Sequence, residues 1–357
     1  MNVNEIQLLP LFEKFITDSQ KGKRLKKNGR KLKPETVDNY KYVYANLNDF
    51  LINTTFSFRL KPYDKLDKRE RESERNYWKK FYKQFTEYLY LQKKCHDNYV
   101  GGTIKILRVF FNYLKSEKLI STGDFFKNFY VIKEEIPIIT LSYDQLQFLI
   151  FNTEFRISLP KHLEVSLDIF ILGCTVALRV SDIFNLYPRD IEKVGEHYYL
   201  KNRSQKMETV TRVRLPEYAV IIIKKYYTTR GRIKVKSKLF PAMSLRQFNC
   251  NIKRIAEMAG WIHPIGKQRS QQGKINEIYQ KENKSIYRFC DMVSSHVMRR
   301  TAITTMLILG MPEHLVRKIS GHSHNSQAFY RYVNYAQAFL DNEIGKIHEK
   351  LENVNYG

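Results

Sequence analysis

Residues 320–335 read SGHSHNSQAFYRYVNY, a Gly-His pair followed by three tyrosines, Tyr330, Tyr332 and Tyr335. The chain carries 24 tyrosines, so on this stretch alone all three read as ordinary packing and surface residues. If residues 328 to 340 form a helix, Phe329, Val333, Ala336 and Leu340 make its core stripe and Tyr330 and Tyr332 lie on opposite flanks. Only one flank can face a cluster of cations held elsewhere in the fold. His322 and His324 form an H-x-H pair, but no third clustered Cys, His or carboxylate lies nearby in sequence, so no metal site is expected.

Working upstream, SSHVMRRTAI places His296 and Arg299 three apart on one helical face. Arg300, four residues from His296, shares that face nearly as well, and spacing alone does not choose between the two arginines. A further arginine, Arg179, sits in the apolar stretch LGCTVALRVSDIFNL. A guanidinium there has no packing reason unless something anionic meets it, whether Asp182 three residues away or a ligand.

The 357 residues suffice for two domains, each with its own core. Lys plus Arg outnumber Asp plus Glu by 61 to 36, a net charge of +25 that implies attraction to a polyanion. The longest apolar run, Ile169 to Leu178, is too short to span a membrane, and the N-terminus lacks the features of a signal peptide. A soluble, intracellular protein is expected. Cys95, Cys174, Cys250 and Cys290 are scattered without a Cys-x-x-Cys pair, which argues against a zinc site and a disulfide framework.

Helical spacing recurs in Val37, Tyr40, Tyr44, Leu47 and Leu51, in Trp78, Phe81, Phe85 and Tyr88, and in Ile104, Leu107, Phe111 and Leu114. The spacing predicts a helical domain over residues 1–130. Residues 131–139, within a stretch that lacks helical period and contains Pro137, read as a linker. A second domain is expected over 140–357, opening where Ser142 and Gln145 resemble a capping box. In it, HYYLK (197–201) and VTRVRLP (210–216) flank a polar turn, and the alternation of Thr211, Val213 and Leu215 with Arg212 and Arg214 predicts a β-hairpin. Most of the rest reads as helix, giving a mainly α chain with a small β element. The run KGKRLKKNGRKLK carries Lys21, Lys23, Arg24, Lys26, Lys27, Arg30, Lys31 and Lys33 with no acidic residue. It reads as a phosphate-contacting loop or a solvated one. The segment 224–238 interleaves tyrosines with cations including Arg230, Arg232 and Lys234, and suits a phosphate backbone. Lys105 and Arg108 complete the set of cations expected to contact a polyanion such as nucleic acid.

Arg179, Lys206 in the hairpin turn, His296 with Arg299, then Gly321-His322 and a tyrosine about ten residues later resemble, in order and spacing, the signature of the tyrosine recombinases, or phage integrase family. Arg299 and His322 are 23 residues apart (322 − 299), His322 and Tyr332 ten (332 − 322). ALRVSDI resembles the first arginine box, with Asp182 at the acidic support position, although Val176 and Ala177 stand around the usual glycine. Met207 replaces the usual threonine after the hairpin lysine, and Lys201 is a weaker candidate for that lysine. By analogy the family selects Arg299 over Arg300. It places its nucleophile nine or ten residues after the histidine, where Arg331 and Tyr332 stand, so Tyr332 is the match and Tyr330 the alternative.

The resemblance implies a helical core-binding domain and an α+β catalytic domain that clamp DNA, with no arm-type domain before them. It implies attack by Tyr332 on a scissile phosphate held by Arg179 and Arg299, with His296 and His322 handling hydrogen bonds and the proton. Lys206 would protonate the leaving 5′ oxygen, and neither metal, other cofactor nor ATP would be needed; no G-x-x-x-x-G-K-[ST] loop is present. It further implies inverted-repeat core sites, a dimer on each site, and a tetramer in synapsis. Leu340, Ile344, Ile347 and Leu351 would form the stripe by which a C-terminal helix docks on a neighbour. A cytoplasmic, nucleoid-associated protein of bacterial or phage origin is implied. The competing readings are a type IB topoisomerase and a catalytically silent DNA-binding regulator.

Overall fold

The computed structural model describes residues 5–26, 28–203, 210–229, 232–233, 237–281 and 283–353. The chain divides into two compact units, Met1–Ile136 with Gln268–Ile278, and Pro137–Lys267 with Tyr279–Gly357. A short antiparallel pair, β1 (Ile6–Gln7) and β2 (Arg59–Leu60), accompanies four helices in the first unit: α1 (Leu9–Gln20), α2 (Pro34–Ile52), α3 (Lys68–Leu91) and α4 (Asp97–Ser116). Helix α3 begins at a capping box in which Asp67 and Glu70 exchange side-chain and backbone bonds. Its Trp78, Phe81, Phe85 and Tyr88 recur every three or four residues and are all buried. They meet rings from α2 and α4, and Trp78 stacks on Phe125 at 4.6 Å. The Trp78 indole N–H is satisfied by the buried Glu74 carboxylate, which also pairs with Arg59.

The segment after α4 lies against that helix. A Cβ on Gly101 would stand 1.9 Å from the Ile132 carbonyl oxygen, so only glycine allows this approach. Gly101→Ala must move backbone, and we expect a loss of about 2–4 kcal/mol in urea unfolding; a loss near zero would refute the close contact.

The second unit opens with the Ser142–Gln145 capping box, which forms in both directions at 3.1 and 2.9 Å. It starts α5 (Tyr143–Phe151), followed by α6 (Thr153–Ser158), α7 (Lys161–Val176) and α8 (Val180–Ile183). Helix α7 is apolar on nearly all sides because it runs through the core of the unit. Next come β3 (Ile191–Val194), β4 (His197–Arg203) and β5 (Val210–Leu215), a three-stranded antiparallel sheet. Tyr198 is opposite Leu215 and Arg203 opposite Val210. Strand β5 alternates as its sequence demands, with Thr211, Val213 and Leu215 buried and Arg212 and Arg214 exposed. The sequence reading had not anticipated β3.

After α9 (Glu217–Tyr227), β6 (Thr228–Thr229), β7 (Arg232–Ile233) and α10 (Leu245–Met258), the chain forms the hairpin β8 (Gln268–Gln271) and β9 (Lys274–Glu277). This hairpin groups with the first unit. Asp97, at the start of α4, accepts bonds from the Ser270 hydroxyl, the Gln272 and Gly273 backbone N–H groups at 2.8 and 3.1 Å, and the Tyr90 hydroxyl at 2.7 Å. Burial acts to raise the pKa of this carboxyl, but the bonds outweigh it and hold the group below the usual carboxylate range. The chain ends with α11 (Phe289–Met292), α12 (Ser295–Ile308), α13 (Glu313–Ser320) and α14 (Gln327–Asn353). Helix α12 packs on α7 where Gly173 faces Met298. Among the described residues no helix is long and apolar enough to cross a membrane.

Candidate active site

The site grows from the end of α7. Ala177 terminates that helix in the left-handed region, at φ 56°, a conformation that disfavours a β-carbon. The turn directs the Ala177 carbonyl toward α12, where it accepts a 2.7 Å bond from Arg299. It also releases Arg179 into the position that caps α8. The position where the sequence lacks the usual glycine thus adopts the backbone that glycine favours.

Arg299 is only 6 % exposed. A second N–H bonds the Ser320 carbonyl at 2.6 Å, and the same nitrogen stands 3.5 Å from both ring nitrogens of His322. Burial, reinforced by the neighbouring Arg179 charge, pulls its pKa down to about 10, against the opposing influence of Tyr332 and the Asp182 carboxylate. The guanidinium is still protonated at neutral pH. Two of its five N–H groups serve these carbonyls, leaving others to meet an anion. Asp182 is buried, whereas His296, in the first turn of α12, is exposed. Arg300 is half-buried.

His322 follows Gly321, which ends α13 in the left-handed region at φ 64°. The Ser320 hydroxyl spends its proton on the Val316 carbonyl at 2.7 Å, so its contact with His322 Nδ1, also 2.7 Å, requires that nitrogen to be the donor. Nε2 is then the acceptor. Burial, followed by the charges of Arg299, Arg179 and Arg317, lowers the His322 pKa from 6.5 to about 3. The unfolded chain therefore takes up this proton before the folded one does, and stability falls as pH drops from about 6.5 toward 3. His322→Gln is expected to flatten that slope, as read by urea unfolding at several pH values in this window; an unchanged slope would assign it to other groups.

Tyr332 is half-buried on α14, its ring edge-on to His322 at 5.9 Å and to Phe329 at 6.2 Å. Tyr330 is 44 % exposed and lies under the Arg317 guanidinium at 4.8 Å. The Tyr335 hydroxyl accepts a 2.9 Å bond from Thr140. Arg299, His322 and Tyr332 thus come together, close enough to Arg179 for its charge to act on both Arg299 and His322 and to Asp182 for its carboxylate to act on Arg299. Lys206 lies outside the described residues. Lys201, on β4, is exposed and paired with Glu192 at 3.4 Å.

The basic run between α1 and α2 forms a turn in which Leu25 bridges Lys31. Lys21, Lys23, Lys26, Arg30, Lys31 and Lys33 are exposed there. Arg24 is different: its guanidinium lies 4.3 Å over Phe15 and 4.9 Å over Tyr113 and bonds Glu117 and Ser19, both at 3.0 Å. It lies against the unit's core, where Phe15 and Tyr113 offer it ring faces. Lys105 is exposed and Arg108 half-buried on α4. Lys27, Arg230 and Lys234 lie outside the described residues. Arg232 is on β7, paired with Thr229. Ser320 and Arg317 had no place in the sequence reading, although both lie within one and a half turns of His322 on the buried side of α13.

The model of the phage integrase family matches residues 157–338. Transposase B from transposon Tn554 of Staphylococcus aureus strain Mu50 is 36% identical over 94 residues, which is 25% of this chain and 14% of the transposase. Among solved structures, the XerH site-specific recombinase bound to a palindromic difH substrate aligns over 97% of this chain and 99% of its own, with TM-score 0.62 and 12% identity. The Tn1549 transposon integrase in complex with transposon right end DNA aligns over 94% and 99%, with TM-score 0.58 and 13% identity. A lambda integrase dimer bound to a core site aligns over 92% and 78%, with TM-score 0.55 and 12% identity.

Proposed function

The chain belongs to the phage integrase family, and from that premise we propose that it is a site-specific tyrosine recombinase that cleaves and rejoins DNA through a 3′-phosphotyrosine. The observation that carries this reading is the convergence of a buried Arg299, Arg179 and a neutral His322 on Tyr332. The Arg179 charge acts against Arg299, and a phosphate would relieve that repulsion. Each arginine would hold non-bridging oxygens and offset charge developing in the transition state.

Tyr332 Oη attacks phosphorus and forms the phosphotyrosyl bond as the bond to the 5′ oxygen breaks. Lys206 gives that oxygen its proton, and His296 and the Nε2 acceptor of His322 serve the phosphate and the phenolic proton. In the reverse step a 5′-hydroxyl of a partner strand attacks the phosphotyrosine, so the bond energy is conserved without ATP. The exposed cations of the α1–α2 turn, with Lys105, Arg108 and the segment containing Arg230, Arg232 and Lys234, would contact the DNA backbone and carry no base specificity. Arg24 drops out of that set.

The test is a denaturing gel for a covalent protein–DNA adduct in EDTA, using nicked duplexes from DNA flanking the gene, followed by transfer to an added 5′-hydroxyl strand. Adduct with transfer supports recombination. Adduct that reseals only its own strand points to a topoisomerase, and tight binding without adduct points to a silent regulator.

Helix α14 continues past the site; of the stripe Leu340, Ile344, Ile347 and Leu351 it leaves Ile344 and Ile347 49% and 56% exposed and Leu340 half-buried, while the Leu351 side chain lies outside the described residues. That stripe suits docking on a second copy, as dimer on a site and tetramer in synapsis on inverted-repeat cores. Deleting residues from 341 onward is expected to preserve adduct formation on a single site and to reduce pairing of two sites about tenfold or more in a gel-shift assay. Unchanged pairing would remove the helix from the assembly.

A further inference from the structure

Arg317 is 7 % exposed and sits on α13, five residues before His322. Its guanidinium lies 4.0 Å over Phe329 and 4.8 Å over Tyr330, both in the first turn of α14. One terminal nitrogen bonds the carbonyls of His324 and Ser323 at 3.1 and 3.4 Å, and the other meets Glu313 at 3.4 Å. Its own carbonyl accepts the His322 N–H at 3.0 Å. A buried guanidinium with this many partners is held rigidly, and apart from Glu313, one turn earlier on α13, its partners belong to the loop bearing His322 or to the helix bearing Tyr332.

We propose that Arg317 is a positioning residue that fixes the His322 loop against the first turn of α14 and so sets where Tyr332 stands relative to the phosphate. This rests on Tyr332 being the nucleophile. A planar, charged group suits the task because it can lie flat on rings and bond carbonyls in its plane at the same time. An ammonium can do only part of this.

The experiment compares wild type, Arg317→Gln, Arg317→Lys and Tyr332→Phe in DNA affinity, single-turnover adduct formation on a nicked duplex, and NMR titration of His322 without DNA. Arg317→Gln should bind DNA as wild type does yet form adduct about 100-fold more slowly, and Arg317→Lys should recover part of the rate. The His322 midpoint should rise in Arg317→Gln and less in Arg317→Lys. The other groups facing that imidazole, Arg299 on α12, Arg179 before α8, Tyr332 on α14 and the Ser320 hydroxyl, are unaltered. A folded Arg317→Gln with wild-type rate overturns the proposal, as does a loss that merely follows DNA affinity with an unmoved midpoint. If Arg317→Gln does not fold, Tyr330→Leu removes only the exposed ring beneath the guanidinium and should slow the adduct severalfold; an unchanged rate counts against the proposal. An adduct persisting in Tyr332→Phe overturns the nucleophile assignment and this proposal with it. Adduct lost in Tyr332→Phe but normal in Arg317→Gln overturns the Arg317 proposal alone.

Discussion

Tyr332→Phe should form no covalent adduct with a nicked duplex while binding that duplex as tightly as wild type. Phenylalanine keeps the ring that packs edge-on to His322 and Phe329, so the fold and the arginine cluster remain. Only the attacking oxygen is lost, and with it about 10⁴-fold or more of the rate. Tyr330→Phe should retain the adduct, because the Arg317 guanidinium lies over the ring of Tyr330 and the substitution preserves that ring. Tyr335→Phe forfeits the bond from Thr140 and should slow the reaction only modestly. A denaturing gel resolves all three, and an adduct lost in Tyr330→Phe alone would move the nucleophile to the other flank of α14.

Arg299 is the second position of large effect. Arg299→Met should lower single-turnover adduct formation about 10³-fold, since the transition-state charge loses a donor fixed in place before the reaction. It should also cost about 2–4 kcal/mol in urea unfolding, because the buried carbonyls of Ala177 and Ser320 lose their partners. Arg299→Lys keeps the charge but cannot reach both carbonyls with the same geometry, so stability should recover more than rate. Near-normal adduct formation in either variant would remove Arg299 from phosphate binding.

What was legible in the sequence was what short-range periodicity encodes. The buried stripe Trp78, Phe81, Phe85 and Tyr88, the Ser142 capping box and the alternation of β5 each follow from neighbours within a few residues. Spacing could not separate Arg299 from Arg300, and only the family resemblance chose between them; α12 turns Arg299 toward Ala177 and Ser320 and leaves Arg300 half-buried. Long-range partners were out of reach. Nothing local indicates that Arg24 leaves a run of exposed cations to lie over Phe15 and Tyr113. Likewise nothing local marks Arg317, whose role depends on α14 bringing Phe329 beneath it. The left-handed Ala177 was hidden because alanine usually signals helix, and tertiary bonds hold it against that preference.

The hairpin on Asp97 bears on the order in which the molecule can be assembled. Asp97 and Ser270 are separated by 173 positions, and most of the second unit is synthesised between them. A nascent chain that has just emerged through Ile136 holds every helix of the first unit but lacks the donors that Ser270, Gln272 and Gly273 bring to Asp97. That unit is finished only after the ribosome has delivered residues 268–278, so its last step is a non-local closure, the slow kind. Vectorial folding from the N-terminus thus gives way to a fold completed from the far end of the chain.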